Sequence, residues 1–272
     1  MGSGIGLFGM GLAVSVTFSS MIGIWLYGFG SAVLFGASLF SAAACLILTF
    51  FIPNVERKRN TEERTALQII KGLFAKEVFP VAFLNMLFCI AHSVMGVFLV
   101  VFFNARNAEG VGMGTAGVFY MVWGLTLFLA RPIAGKLFDK YGLIPVESLC
   151  LICFFLFNVL IAYSTGWVTT LIAAVVGSFG FGGSVPVLQA AAFKSAPPEK
   201  KGAANSTNLM GGDLGNAVGG VFYGYIATWF VKASQPSFGY QISFLVAGGI
   251  CLLALLYMFV LVKFTRFGKK VK

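Results

Sequence analysis

Across its 272 residues the chain is 58% hydrophobic and 10% charged, with a formal net charge of +10, and its mean hydropathy is +0.91. Soluble domains have about a quarter of their residues charged, so this composition cannot supply the surface of a water-exposed globule. A net charge of this size would suit nucleic acid, but the distribution of the charge, set out below, assigns it to a lipid bilayer instead.

The expected fold class is all-α, a polytopic bundle of eight transmembrane spans. They are read at 4–27, 31–52, 78–103, 113–130, 143–163, 168–193, 203–230 and 240–262. Each is close to the roughly 17 to 25 residues that a helix needs to cross hydrocarbon. Barrel strands would alternate apolar and polar residues over about ten positions, whereas these stretches are apolar on every side.

The connections alternate in charge. Of the 19 basic residues only Arg106 and Lys232 lie in the connections after the first, third, fifth and seventh spans. The others fall in 53–77, 131–142, 194–202 and the tail from 263, which is the positive-inside pattern and predicts both termini in the cytoplasm. Cys45, Cys89, Cys150, Cys153 and Cys251 all fall inside predicted spans, where no disulfide is expected. The Cys150/Cys153 pair has no second pair and no nearby histidine, so it reads as core packing. No motif calls for a cofactor.

Residues 1–52 hold two spans and 78–262 hold six; 53–77 is a polar loop rich in both charges and 263–272 a basic tail. His92 lies midway along the third span, on one helical face with Asn85 and Cys89. It reads either as a satisfied core residue or as a contact for substrate or protons. Tyr120 and Trp123 on the fourth span suit stacking on an aromatic or cationic solute, although aromatic residues in membranes are more often core or lipid contacts.

Between the fourth and fifth spans runs Arg131-Pro132-Ile133-Ala134-Gly135-Lys136-Leu137-Phe138-Asp139-Lys140-Tyr141-Gly142. Pro132 and Gly142 punctuate helices and the lysines belong on a cytoplasmic turn. A basic turn alone leaves Asp139 unexplained. Glu147, a turn into the next span, reads as snorkelling to the interface or pairing with a loop lysine rather than as a proton carrier. In the sixth span Gly177, Gly180, Gly182, Gly183 and Pro186 read as a bending gate or as close packing.

The seventh span carries Asp213 near the bilayer midplane, where a carboxylate costs about 2.5 to 3.5 kcal/mol to insert. Helical spacing puts Asn205 or Ser206, Asp213, Asn216 and Gly220 on one stripe, facing a partner helix or a wet cavity. Asp213 is thus a proton-site candidate, with an interhelical hydrogen bond as the alternative. Gly211, Gly215 and Gly219, and separately Gly220 and Gly224, have the four-residue spacing that lets helix backbones approach.

The string at 131–142 resembles the loop of the major facilitator superfamily that carries G-x-x-x-D-[RK]-x-G, matched here by Gly135, Asp139, Lys140 and Gly142. The trailing basic pair is replaced by Leu143 and Ile144. The resemblance implies a six-helix C-terminal half preceded by the last two helices of an N-terminal half, with four helices of the twelve-helix type lacking. It implies that the third span lines a central cavity, which raises His92 and Asn85 as solute contacts. It also implies that Arg131, Gly135, Asp139, Lys140 and Gly142 form a cytoplasmic gate, Asp139 meeting the start of the facing helix near residues 2–6.

The drug/proton antiporters of that family carry G-P-x-x-G where Ser19-Ser20-Met21-Ile22-Gly23 stands here. The run from Lys200 to Ser206 is similar to the entry of the eleventh helix in efflux-type members. The expected function is alternating-access export of a small organic solute coupled to protons, in the plasma membrane. The alternatives are uptake of a sugar or organic acid, an inactive fragment, or a chain completed by the missing N-terminal helices from a longer product. A membrane enzyme is disfavoured because no H-E-x-x-H, G-x-S-x-G or clustered acid pair occurs.

Overall fold

The computed structural model describes residues 22–51 (except 24), 74–231 and 235–264, and the side chains of these up to residue 260. Most of the first predicted span, nearly all of the charged loop, Lys232 and the tail beyond residue 264 lie outside the described residues. Seven long helices are described: α1 (Ser31–Thr49), α2 (Phe79–Ala108), α3 (Ala116–Tyr141), α4 (Leu143–Ala162), α5 (Trp167–Ser195), α6 (Lys201–Trp229) and α7 (Phe238–Phe264). Short 3₁₀ turns at Lys76–Val78 and Pro198–Lys200 lead into α2 and α6.

Six of these helices, all but α6, are long and apolar enough to span a membrane by length and composition. α6 is 29 residues long but too rich in Gly, Asn and Asp to meet the same hydropathy test. A helix of that polarity is stable in a bilayer only where neighbours and cavity water take up its polar groups.

α2 to α7 pack around one core. Tyr223, Phe88, Phe102, Phe103, Phe119, Phe138, Phe154, Phe157 and Phe244 are its largest fully buried side chains. The main seams are α2 with α6, α4 with α5, α3 with α5, α4 with α7, and α2 with α7. α1 buries none of its residues.

The largest departure from the predicted elements is in α3, which continues through Pro132 to Tyr141 instead of ending at 130. Proline removes one backbone N–H, and in a membrane helix neighbouring packing makes that tolerable. Lys136, Asp139 and Lys140 sit exposed on the last turns, where charged side chains reach the polar interface, whereas Arg131 is buried. The connection to α4 is the single residue Gly142, which ends one helix and precedes the next at φ 80. That left-handed conformation explains why the motif closes on glycine.

The α2–α6 seam is built by the first glycine series. A Cβ on Gly211 would run into the Ala82 carbonyl, and one on Gly219 into Ser93 Oγ and the Ile90 carbonyl. One on Gly215 would meet the Met86 carbonyl and come within 2.9 Å of Cys89 Cβ. The second series does not share this role. Gly220 has only Val97 at an ordinary 3.8 Å and Gly224 has nothing within 4 Å, because one step along the helix turns those positions away from α2. The four glycines of α5 are packing positions: Gly177 faces the Phe157 and Trp123 rings, Gly180 the backbone of α4, Gly182 Leu127, and Gly183 Cys150 and Ala134.

Candidate functional site

One group of polar residues lies midway along α2 and α6, at the seam between them. Asn216, on the exposed side of α6, lies within interaction reach of the His92 side chain on α2. His92 is partly buried and stacks on Phe181 of α5, with ring centroids 4.2 Å apart and planes at 19°. Asp213 lies one turn before Asn216, is exposed, and is within electrostatic reach of Cys89 on α2. The close glycine crossing holds these groups together, since it removes side-chain bulk between two backbones and leaves the flanking polar residues side by side.

Asn85 lies in the same seam but is buried and engaged with backbone: its Nδ2 donates to the Asn208 carbonyl at 2.8 Å, and Cys89 Sγ donates to its Oδ1 at 3.6 Å. Trp123 is 3% exposed and sits in an aromatic cluster with Phe119, Phe157 and Phe181, centroids 5.8, 5.4 and 6.1 Å away. Tyr120 is partly buried beside Phe119. The structure therefore brings Asn216 to His92, with Asp213 one turn away on α6 beside Cys89, engages Asn85 with the α6 backbone, and places Trp123 in the core. Phe181, the stacking partner of His92, gave no sequence signal beyond being aromatic within a glycine-rich span.

Below them on α6, Asn205 accepts a hydrogen bond from Gln189 of α5 at 2.9 Å. Toward the basic end, Arg131 is 5% exposed and Gly135 is buried, while Asp139 and Lys140 are exposed on the last turn of α3. Lys140 lies over the Tyr141 ring and Lys194 over the Phe138 ring, 4.9 and 4.4 Å from the centroids. The segment at residues 2–6 expected to face Asp139 lies outside the described residues.

At the opposite end one network joins three connections. Arg106 donates to the Ser164 carbonyl at 3.0 Å and pairs with Glu109 at 3.5 Å. Glu109 accepts from Ser237 N at 2.9 Å and Ser237 Oγ at 2.7 Å. Burial works to raise the Glu109 carboxyl, but the two Ser237 hydrogen bonds and the Arg106 charge outweigh it and hold it below its ordinary value.

One residue overturns its sequence reading. Glu147 was expected at the interface, snorkelling or paired with lysine, and instead is 0% exposed. Its Oε1 accepts from Ser184 Oγ of α5 at 2.6 Å, and no hydrogen-bond partner reaches its Oε2 among the described residues. The lone acid in an apolar span was the available signal, but position along a helix does not say which way a side chain faces.

Two cavities lie away from the polar cluster. One of about 370 Å³ opens between the starts of α3 and α5, lined by Met113, Val118, Trp167 and Leu171. The other, about 90 Å³, lies among Ile133, Leu137, Leu149, Cys153 and Phe179. Their linings suit acyl chains or apolar packing better than a polar solute.

Among known families, the model of the Major Facilitator Superfamily matches this chain in two overlapping segments, residues 1–146 and 81–272. Among solved structures, the chain is similar to the crystal structure of the nucleoside transporter NupG in a D323A mutant form, with a TM-score of 0.68 at 16% identity. The similarity covers 88% of this chain and 64% of that one, and at such identity it speaks to the fold. The comparison with curated proteins returned no match.

Proposed function

Because this chain belongs to the major facilitator superfamily and is an integral multi-pass membrane protein of transporter fold, we propose that it carries a small organic solute across the membrane, coupled to protons through Asp213. The observation that carries this reading is the exposed Asp213 beside the His92–Asn216 pair and the Phe181 ring. A carboxylate at mid-depth is costly unless it faces water or a partner, and the adjoining amide, imidazole and ring offer hydrogen bonds and a stacking surface to a polar, partly planar solute. The positive-inside pattern supports a cytoplasmic position for the basic ends of the helices, and the plasma membrane is the proposed location.

Export is the proposed direction, supported by the likeness of 200–206 to efflux-type members, and the sign of the pH change distinguishes it from uptake. The chain spans 64% of the length of its structural neighbour, so transport by the chain alone is the first matter an assay decides. Vesicles containing the protein and a pH-sensitive dye would be challenged with nucleosides, sugars and organic acids. A solute-dependent pH change that is lost in Asp213→Asn, with solute exchange retained, supports the reading. An unaltered pH change in that variant would refute the assignment to Asp213.

A further inference from the structure

Glu147 combines three features that no part of the polar cluster explains. Its side chain is wholly enclosed, a single donor, Ser184 Oγ at 2.6 Å, reaches one oxygen, and the other oxygen has no hydrogen-bond partner among the described residues. Among the described residues, thiols lie within its electrostatic reach: Cys150 on its own helix, Cys89 on α2 and Cys251 on α7. None brings a positive charge. Glu147 also lies past the first turn of α4, beyond the unpaired N–H groups of the helix start. An ionised carboxylate there would be stripped of water with one hydrogen bond in return.

We infer that Glu147 is a second proton-binding site, separate from Asp213, which holds its proton while the α4–α5 seam is closed and gives it up when that seam opens. The proton sits on Oε2, and Ser184 donates to Oε1. On release the Oε2–H bond breaks, its electrons stay with the carboxylate, and the proton passes to water. The fold supplies a place for such opening: Pro186, two residues beyond Ser184, provides no N–H for the Gly182 carbonyl, so the backbone ladder of α5 is interrupted beside the Ser184 hydroxyl that binds the acid. The role in a transport cycle rests on the proposed function; the protonation state does not.

The test is infrared spectroscopy of the full chain in lipid at neutral pH. The wild-type minus Glu147→Gln difference is expected to show the C=O stretch of a carboxylic acid, and Ser184→Ala should move that band to higher wavenumber by removing the hydrogen bond to Oε1. Carboxylate bands in place of the acid band would overturn the proposal. Should Glu147→Gln fail to accumulate, the wild-type minus Ser184→Ala difference decides alone: a displaced acid band supports the site, and its absence refutes it. An acid band with no solute-driven pH change in vesicles would leave the site standing and remove the transport reading.

Discussion

Replacing Gly215 with alanine tests the account of the α2–α6 seam directly. The new Cβ would lie 2.9 Å from Cys89 Cβ and closer still to the Met86 carbonyl oxygen, whereas carbon atoms rest about 3.5 to 4.0 Å apart. The obstacle is backbone on the opposing helix, so no rotamer change relieves it and the helices must part by several tenths of an ångström or more. Overpacking of this kind costs about 1 to 3 kcal/mol. Gly224→Ala is the matched control, since nothing lies within 4 Å of its Cβ position. Both substitutions share the alanine helix-propensity gain of about 1 kcal/mol, so their difference isolates the collision. Gly215→Ala should be less stable than Gly224→Ala by about 1 to 3 kcal/mol, a factor of roughly 5 to 150 in the unfolding equilibrium. Equilibrium unfolding of both proteins in mixed micelles, followed by helix content, measures it. Equal stability of the two variants would refute the seam as described.

Other expectations follow from the same structure. Gly142→Ala places a Cβ at φ 80 and should cost about 1 to 2 kcal/mol, read as a lower melting temperature. Because Glu109 is held below its ordinary value when folded, its stabilisation is fully present above the unfolded carboxylate range, near pH 4, and is lost as pH falls through the folded value. Thermal melts of wild type should therefore weaken in acid more than those of Glu109→Gln; parallel curves would count against the network. Asp139→Asn should leave expression intact and lower the solute turnover rate in vesicles, and normal rates would dismiss its gate role.

The sequence made the spans of the C-terminal unit legible because run length is a strong physical requirement of a bilayer, and predicted α4 at 143–163 against Leu143–Ala162 shows how closely. It was less informative wherever orientation mattered. Lys136, Asp139 and Lys140 looked like loop because charge disfavours hydrocarbon, yet long side chains at a helix end reach the interface without ending the helix. Gly211, Gly215 and Gly219 shared their spacing with Gly220 and Gly224, and only the azimuth of α2 separates the two series. For the site, Asp213, Asn216 and His92 were visible as polar residues in apolar spans. Phe181 and the inward turn of Glu147 depend on which faces α4 and α5 present to each other, and periodicity in nearly uniform apolar helices carries little of that.

Contact of α2 with α6 through bare backbone has a mechanical meaning. Two helices that interlock at three successive turns have no room to slide, so His92 on α2 and the Asp213–Asn216 turn of α6 are held at one spacing. Spin labels placed across the α2–α6 seam should report one distance with and without added solute, and a distance that changes would show that the seam can slide.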